Sequence, residues 1–209
     1  MVRYLLDQGA DISCQAKCEG RHYNALRLAI KNKSESMVSL LLQRGANVSA
    51  GLNYAQVWRE EFPTALHQAS AGGLLVIVGL SLESDADIEA TSLRCCTPLM
   101  TVIYKKSIPA LEFLVDRGAD VNRASYTGVT DESSVRFPLE IAAYVDSPEM
   151  IRTLVENGAV NGLEDAYKHA QETTRPSNRN EMLYLLDQQR FKLRNLESDQ
   201  CPPAESSSY

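Results

Sequence analysis

Leu114-Val115-Asp116-Arg117-Gly118-Ala119-Asp120 is one of four versions of the same phrase in this 209-residue chain. The others are Leu5-Leu6-Asp7-Gln8-Gly9-Ala10-Asp11, Leu41-Leu42-Gln43-Arg44-Gly45-Ala46-Asn47 and Leu154-Val155-Glu156-Asn157-Gly158-Ala159. A second phrase, with the rhythm Thr-Pro-Leu, precedes the last three and is clearest at Thr97-Pro98-Leu99-Met100. The two phrases keep one distance. Asn24 to Gly45, Thr64 to Asp85, Thr97 to Gly118 and Phe137 to Gly158 each span 21 residues. A fixed internal spacing of this kind marks a repeat array, whose core is a continuous seam between neighbouring units.

Each unit reads as two helices. Thr64 is a good cap because its hydroxyl can accept a bond from a first-turn amide that otherwise has no partner. Leu66 and Ala69, Leu99 and Val102, and Leu139 and Ala142 lie three apart and so share a helix face. Ser147-Pro148 places a cap before a proline at the first helical position, where the missing N–H costs nothing. The Leu-Leu phrase closes the second helix, and glycine supplies the left-handed stop. Asp85 takes that place in the second unit, a poorer choice and an expected weak point.

These residues resemble the ankyrin-repeat family, whose 33-residue unit carries a Thr-Pro-Leu-His-x-Ala signature. Thr64-Ala65-Leu66-His67-Gln68-Ala69, Thr97-Pro98-Leu99 and the Gly-Ala-Asp stops carry the resemblance, over about residues 1 to 190. It implies an all-α solenoid of helix–turn–helix units with β-hairpin fingers, about five to six repeats, the first incomplete. The expected units are 1–14 (second helix only), 15–50, 51–90, 91–123, 124–162 and a capping unit at 163–191. A polar loop is expected at 173–180 and a flexible tail at 192–209. Asn24-Ala25-Leu26-Arg27 and Phe137-Pro138-Leu139-Glu140 keep the leucine but lose the threonine or the histidine, so modest stability per repeat is expected.

Unit spacing is uneven. Thr64 to Thr97 is 33 residues, whereas Asn24 to Thr64 and Thr97 to Phe137 are 40 each. In the family the extra residues fall in the hairpin, so two lengthened fingers are expected at 51–63 and 124–136. At the amino terminus Val2, Leu5 and Leu6 lack the first helix that would cover them. A truncated array, a partner or self-association through that edge would each account for it.

Composition narrows the function classes. A formal net charge of −6 argues against nucleic acid, which needs a basic surface, and against an anionic membrane. The longest apolar run, Leu74 to Leu80, is far short of the roughly 20 residues a membrane helix needs. The amino terminus has no signal-like segment, and five cysteines without a framework suggest reduced thiols and a cytoplasmic or nuclear protein.

Catalytic and metal motifs are weak. Cys14, Cys18 and His22 are spaced four apart, but a structural zinc site needs a fourth ligand and none lies near in sequence. His67 with Cys95 or Cys96 could form a thiolate pair; the resemblance instead makes His67 a hydrogen-bonded tie between repeats. Glu60, Glu61, Asp131 and Glu132 read as solvated charge on the fingers. No metal, no cofactor and no catalytic residue is assigned.

The aromatic pattern is more specific. Tyr104 and Tyr144 stand seven residues after Thr97 and Phe137, and Lys31 and Ala71 hold the same register. The resemblance puts that register on the concave face. Tyr54, Trp58 and Phe62 on one finger and Tyr126 on the other either pin the loops or face a ligand. With Tyr23, Arg59, Arg94, Lys105 and Arg136 they complete a candidate groove rich in hot-spot residue types. The expected function is capture of a protein or peptide partner. The alternative is a small-molecule or catalytic pocket beneath the two long fingers.

Overall fold

In the computed structural model, residues 1–18, 21–50, 64–91, 96–126, 135–172 and 175–199 are described. The element order is α1 (Val2–Asp7), β1 (Gln15–Cys18), β2 (Arg21–Asn24), α2 (Ala25–Lys31), α3 (Glu35–Gln43), α4 (Ala65–Ala71) and α5 (Leu75–Glu83). There follow α6 (Pro98–Tyr104), α7 (Ile108–Asp116), β3 (Ser125–Tyr126), β4 (Val135–Arg136), α8 (Pro138–Tyr144), α9 (Pro148–Glu156), α10 (Leu163–Glu172) and α11 (Pro176–Asp199). Helices α2, α4, α6, α8 and α10 pack side by side in one layer, and α3, α5, α7, α9 and α11 in a second. Each helix of the first layer also packs on its successor in the second, which is a helical solenoid of paired units.

Local chemistry explains the boundaries. Asn24, Thr64, Thr97 and Ser147 each accept a hydrogen bond from the amide three residues on, at Arg27, His67, Met100 and Met150. The second helices stop where the backbone turns left-handed: Gly45, Gly118 and Gly158 have φ of 83°, 89° and 85°, and Asp85 reaches 62° in the weaker unit. The hairpins are antiparallel, with Gln15 opposite Asn24 and Ser125 opposite Arg136. Of the two lengthened fingers, 51–63 lies outside the described residues, and so does 127–134 of the other.

The core is one seam. Leu26, Ile30, Leu41, Leu66, Ile77, Leu99, Ile103, Leu111, Leu114, Leu139, Met150 and Leu154 are all at most 2% exposed. His67 ties two units across it. Its Nε2–H donates to the Cys96 carbonyl at 2.9 Å, and its Nδ1 accepts from the Thr64 hydroxyl at 2.8 Å. A carbonyl can only accept, so Nε2 carries a proton, and burial disfavours a second proton on Nδ1. On the opposite side of α4 in chain order, the Gln68 amide donates to the Arg27 carbonyl of the preceding unit at 3.1 Å, a second tie between units.

Burial pushes the His67 pKa below its usual value of 6.5, partly offset by the bond to Cys96. A histidine with a depressed folded pKa stabilises the fold above its unfolded pKa and loses that contribution as pH falls. Stability is therefore expected to decline on acidification below about pH 6.5, by at most about 1.4 kcal/mol per pH unit for this one group. Urea midpoints at several pH values for the wild type and His67→Gln test this. The acid slope should be shallower in the variant, and equal slopes would rule the histidine out as its source.

Two expectations at the carboxy terminus are corrected. The helix starts at Pro176, inside the stretch expected to be a polar loop, and runs to Asp199, eight residues into the expected tail. Proline suits the first turn. Beyond it Met182, Leu186 and Gln189 are buried at helical spacing, with Leu193 packed beside them. The Gln189 amide donates to the Ala159 carbonyl at 3.1 Å. Arg190 pairs with Glu164 and lies 4.1 Å over the Tyr167 ring, pinning α11 along α10.

Candidate functional site

The inner helices, α2, α4, α6, α8 and α10 of the first layer, end in register. Seven residues beyond the cap positions Asn24, Thr64, Thr97 and Phe137 stand Lys31, Ala71, Tyr104 and Tyr144. The fifth inner helix follows Gly162, and seven residues further is His169. Tyr104 and Tyr144 remain 40% and 57% exposed although the helices carrying them are otherwise buried. Two large rings are thus left open to solvent on adjoining helices of this layer.

The hairpin side of this layer adds charge. Arg136, the last residue of β4, pairs through Nη1 with Glu140 Oε1 at 2.9 Å, and its guanidinium lies 5.8 Å from the Tyr144 ring centroid. The His169 ring also lies beside Tyr144, with centroids 5.5 Å apart and planes tilted by 45°. Tyr144 thus has a guanidinium and an imidazole as neighbours while remaining 57% exposed. Burial raises the Tyr104 pKa, and Cys96, Glu140 and Tyr144 push it further up against the pull of Arg136. That phenol stays protonated and can donate a hydrogen bond.

Desolvation raises the Glu140 pKa, which Arg136 opposes and Asp165 reinforces. Desolvation, then Arg136, lowers that of His169, opposed by Glu172 and Asp146. These groups therefore form one electrostatic neighbourhood across α6, α8 and α10. It offers a neutral aromatic surface, one guanidinium and one half-buried carboxylate. Among the described residues no group of three or more His, Cys, Asp or Glu is placed to hold a metal.

The structure brings Tyr104, Arg136 and Tyr144 together as one patch. Lys31 and Lys105 are exposed at the ends of α2 and α6. Tyr23 stands in β2 opposite Ala16, and Tyr126 in β3 opposite Val135. Tyr54, Trp58, Arg59 and Arg94 lie outside the described residues. Sequence reasoning missed Glu140 and His169. Glu140 was legible as the i+4 partner of Arg136, and His169 as the residue seven beyond Gly162.

Tight joints hold the patch in place. Asn122 joins the loops after α7 and α9: its Oδ1 accepts from Val160 and Asn161 amides at 2.7 and 3.0 Å, and its Nδ2 donates to the Gly158 carbonyl at 2.9 Å. Glu89 makes the corresponding joint one unit earlier, accepting from the Asp120 amide at 2.7 Å.

Comparisons with known proteins agree with this architecture. The ankyrin repeat family model matches residues 21–51. The B-cell lymphoma 3 protein homolog of Mus musculus is 31% identical over 169 residues, covering 80% of this chain and 35% of that protein. A putative ankyrin repeat protein of fowlpox virus (strain NVSL) is 31% identical over 163 residues, covering 75% of this chain and 43% of its own. Among solved structures, the ankyrin repeat domain of Bcl-3, described as a unique member of the IkappaB protein family, superposes with a TM-score of 0.70. It shares 22% identity over 90% of this chain and 78% of that one. With its paired helices, capped starts and left-handed stops, this chain is an ankyrin-repeat protein. It spans less than half the length of the two relatives. Among the described residues no helix is long and apolar enough to cross a membrane.

Proposed function

We propose that this chain is a protein-interaction module that grips a peptide or protein partner on the inner-helix face, with Tyr104 and Tyr144 as its anchors. The supporting observation is the exposure of both rings, 40% and 57%, on adjoining helices of a rigid layer. Large aromatics left in solvent at a fixed register are what binding hot spots are made of, and Arg136 beside them is a third hot-spot type. Lys31 and Lys105 extend the same face toward the amino-terminal units.

Replacing both rings tests the reading. Tyr104→Ala with Tyr144→Ala is expected to weaken partner capture by about 30-fold or more, a loss of about 2 kcal/mol at a hot spot. The rings are exposed, so the melting temperature should change little. Capture unchanged in a folded double variant would mean that this face is not the binding surface.

A further inference from the structure

The three residues that close each inner helix form rows along one edge of the layer. They read Lys31-Asn32-Lys33, Ala71-Gly72-Gly73, Tyr104-Lys105-Lys106 and Tyr144-Val145-Asp146. The first three rows hold four lysines, all exposed, and no carboxylate. This runs against the chain as a whole, which carries 27 acidic and 21 basic residues. In the fourth row the sign reverses: Asp146 pairs with Arg175 at 3.6 Å, and Asp165 and Glu172 follow on α10.

The turn that ends each row is left-handed in all four units: Lys33, Gly73, Lys106 and Asp146 have φ of 55°, 62°, 56° and 58°. The conformation belongs to the turn, whatever residue fills it, and it sets the same backbone place in each unit. Lys33 and Lys106 therefore recur at equivalent places along the edge, and Asp146 holds that place with the opposite sign.

We propose that the inner-helix face takes an extended acidic segment of a partner protein, its carboxylates along the lysine edge from α2 to α6 and its apolar side chains on Tyr104 and Tyr144. The inference rests on the concave-face reading above and adds the partner's chemistry and direction. The acidic cluster at Asp146, Asp165 and Glu172 repels carboxylates from the carboxy-terminal units, so the segment's acidic part lies toward α2. Arg136, held by Glu140 and stacked near Tyr144, marks where the acidic part meets the apolar part. Complementary charge of this kind sets direction and partner choice more than affinity.

Selection of random peptides displayed on phage against the full chain tests the proposal, with the Tyr104→Ala/Tyr144→Ala variant as counter-selection. The tyrosine-dependent peptides are expected to be enriched in Asp and Glu beside aromatic or aliphatic residues. A chosen peptide should lose affinity by about tenfold or more in Lys33→Glu/Lys106→Glu, and should weaken as salt is raised. Tyrosine-dependent peptides rich in Lys and Arg, or without charge bias, would overturn the acidic-partner proposal while leaving the groove intact. A selection that yields only peptides indifferent to the tyrosines would overturn the groove reading as well.

Discussion

Gly162→Val is expected to destabilise the carboxy-terminal units by about 3 kcal/mol or more, the sum of left-handed strain and overpacking. Gly162 has φ of 76°, and a Cβ built there would lie 2.8 Å from the Cβ of Phe137 and 3.1 Å from its Cδ2. Phe137 cannot simply turn away, because the close contact is with its own Cβ and therefore with the backbone that starts α8. The reason for the contact lies in the sequence. Phe137 stands where Asn24, Thr64 and Thr97 cap the earlier units and makes no capping bond, and its side chain lies against the next unit's glycine. Gly118→Val is the control, since Gly118 shares the conformation at 89° but has nothing within 4 Å of its Cβ position. It should show the strain alone, about 1–2 kcal/mol. Urea denaturation of the two variants gives the difference, and hydrogen exchange should place the Gly162 loss in α10 and α11. Equal costs at the two glycines would mean that the Phe137 contact yields readily.

The fold was largely legible because the information that specifies it is repeated. Caps at Thr64, Thr97 and Ser147, and left-handed stops at Gly45, Gly118 and Gly158, are local devices whose backbone requirements can be read from single residues. Asp85 was also readable as a glycine substitute, and it holds the same conformation at 62°. The α11 helix was not legible at its ends because it occurs once and its exposed residues are polar. Its length depends on a buried stripe, Met182, Leu186 and Gln189, whose partners lie in α9 and α10.

Legibility of the site divides in the same way. Tyr104 and Tyr144 follow from register and are found exposed on adjoining helices. His169 escaped because α10 follows Gly162 directly, without the Thr-Pro-Leu phrase that marks the earlier inner helices. Its contact with Tyr144 is visible only once α8 and α10 are packed together. The charge reversal along the lysine edge was hidden for a related reason: Lys33 and Lys106 are 73 positions apart in sequence and become neighbours in function only when the units stack.

Leu114→Ala is expected to cost about 3–5 kcal/mol, whereas Leu5→Ala should cost less than about 1 kcal/mol, although the two leucines open the same repeated phrase. Leu114 is 0% exposed at the centre of the seam, and so are Leu111 and Ile103. Removing its side chain leaves a cavity that the closely packed layers fill only in part. Leu5 is 48% exposed and α1 has no buried residue, so little is lost when it is cut back. The second unit shows a third solution at this position. Ser81 stands where the leucine would be, fully buried, with its hydroxyl donating to the Ile77 carbonyl at 2.8 Å. That unit has given up an apolar contact that the others keep, and its stop is Asp85. The Leu114 loss should therefore spread into α5, its neighbour on that side, more readily than into α9, where Leu154 and Ile151 are fully buried. Hydrogen exchange of the Leu114→Ala variant reads this directly: protection should fall first in α5 and α7. Equal loss across all units would instead mean that the solenoid unfolds as one block.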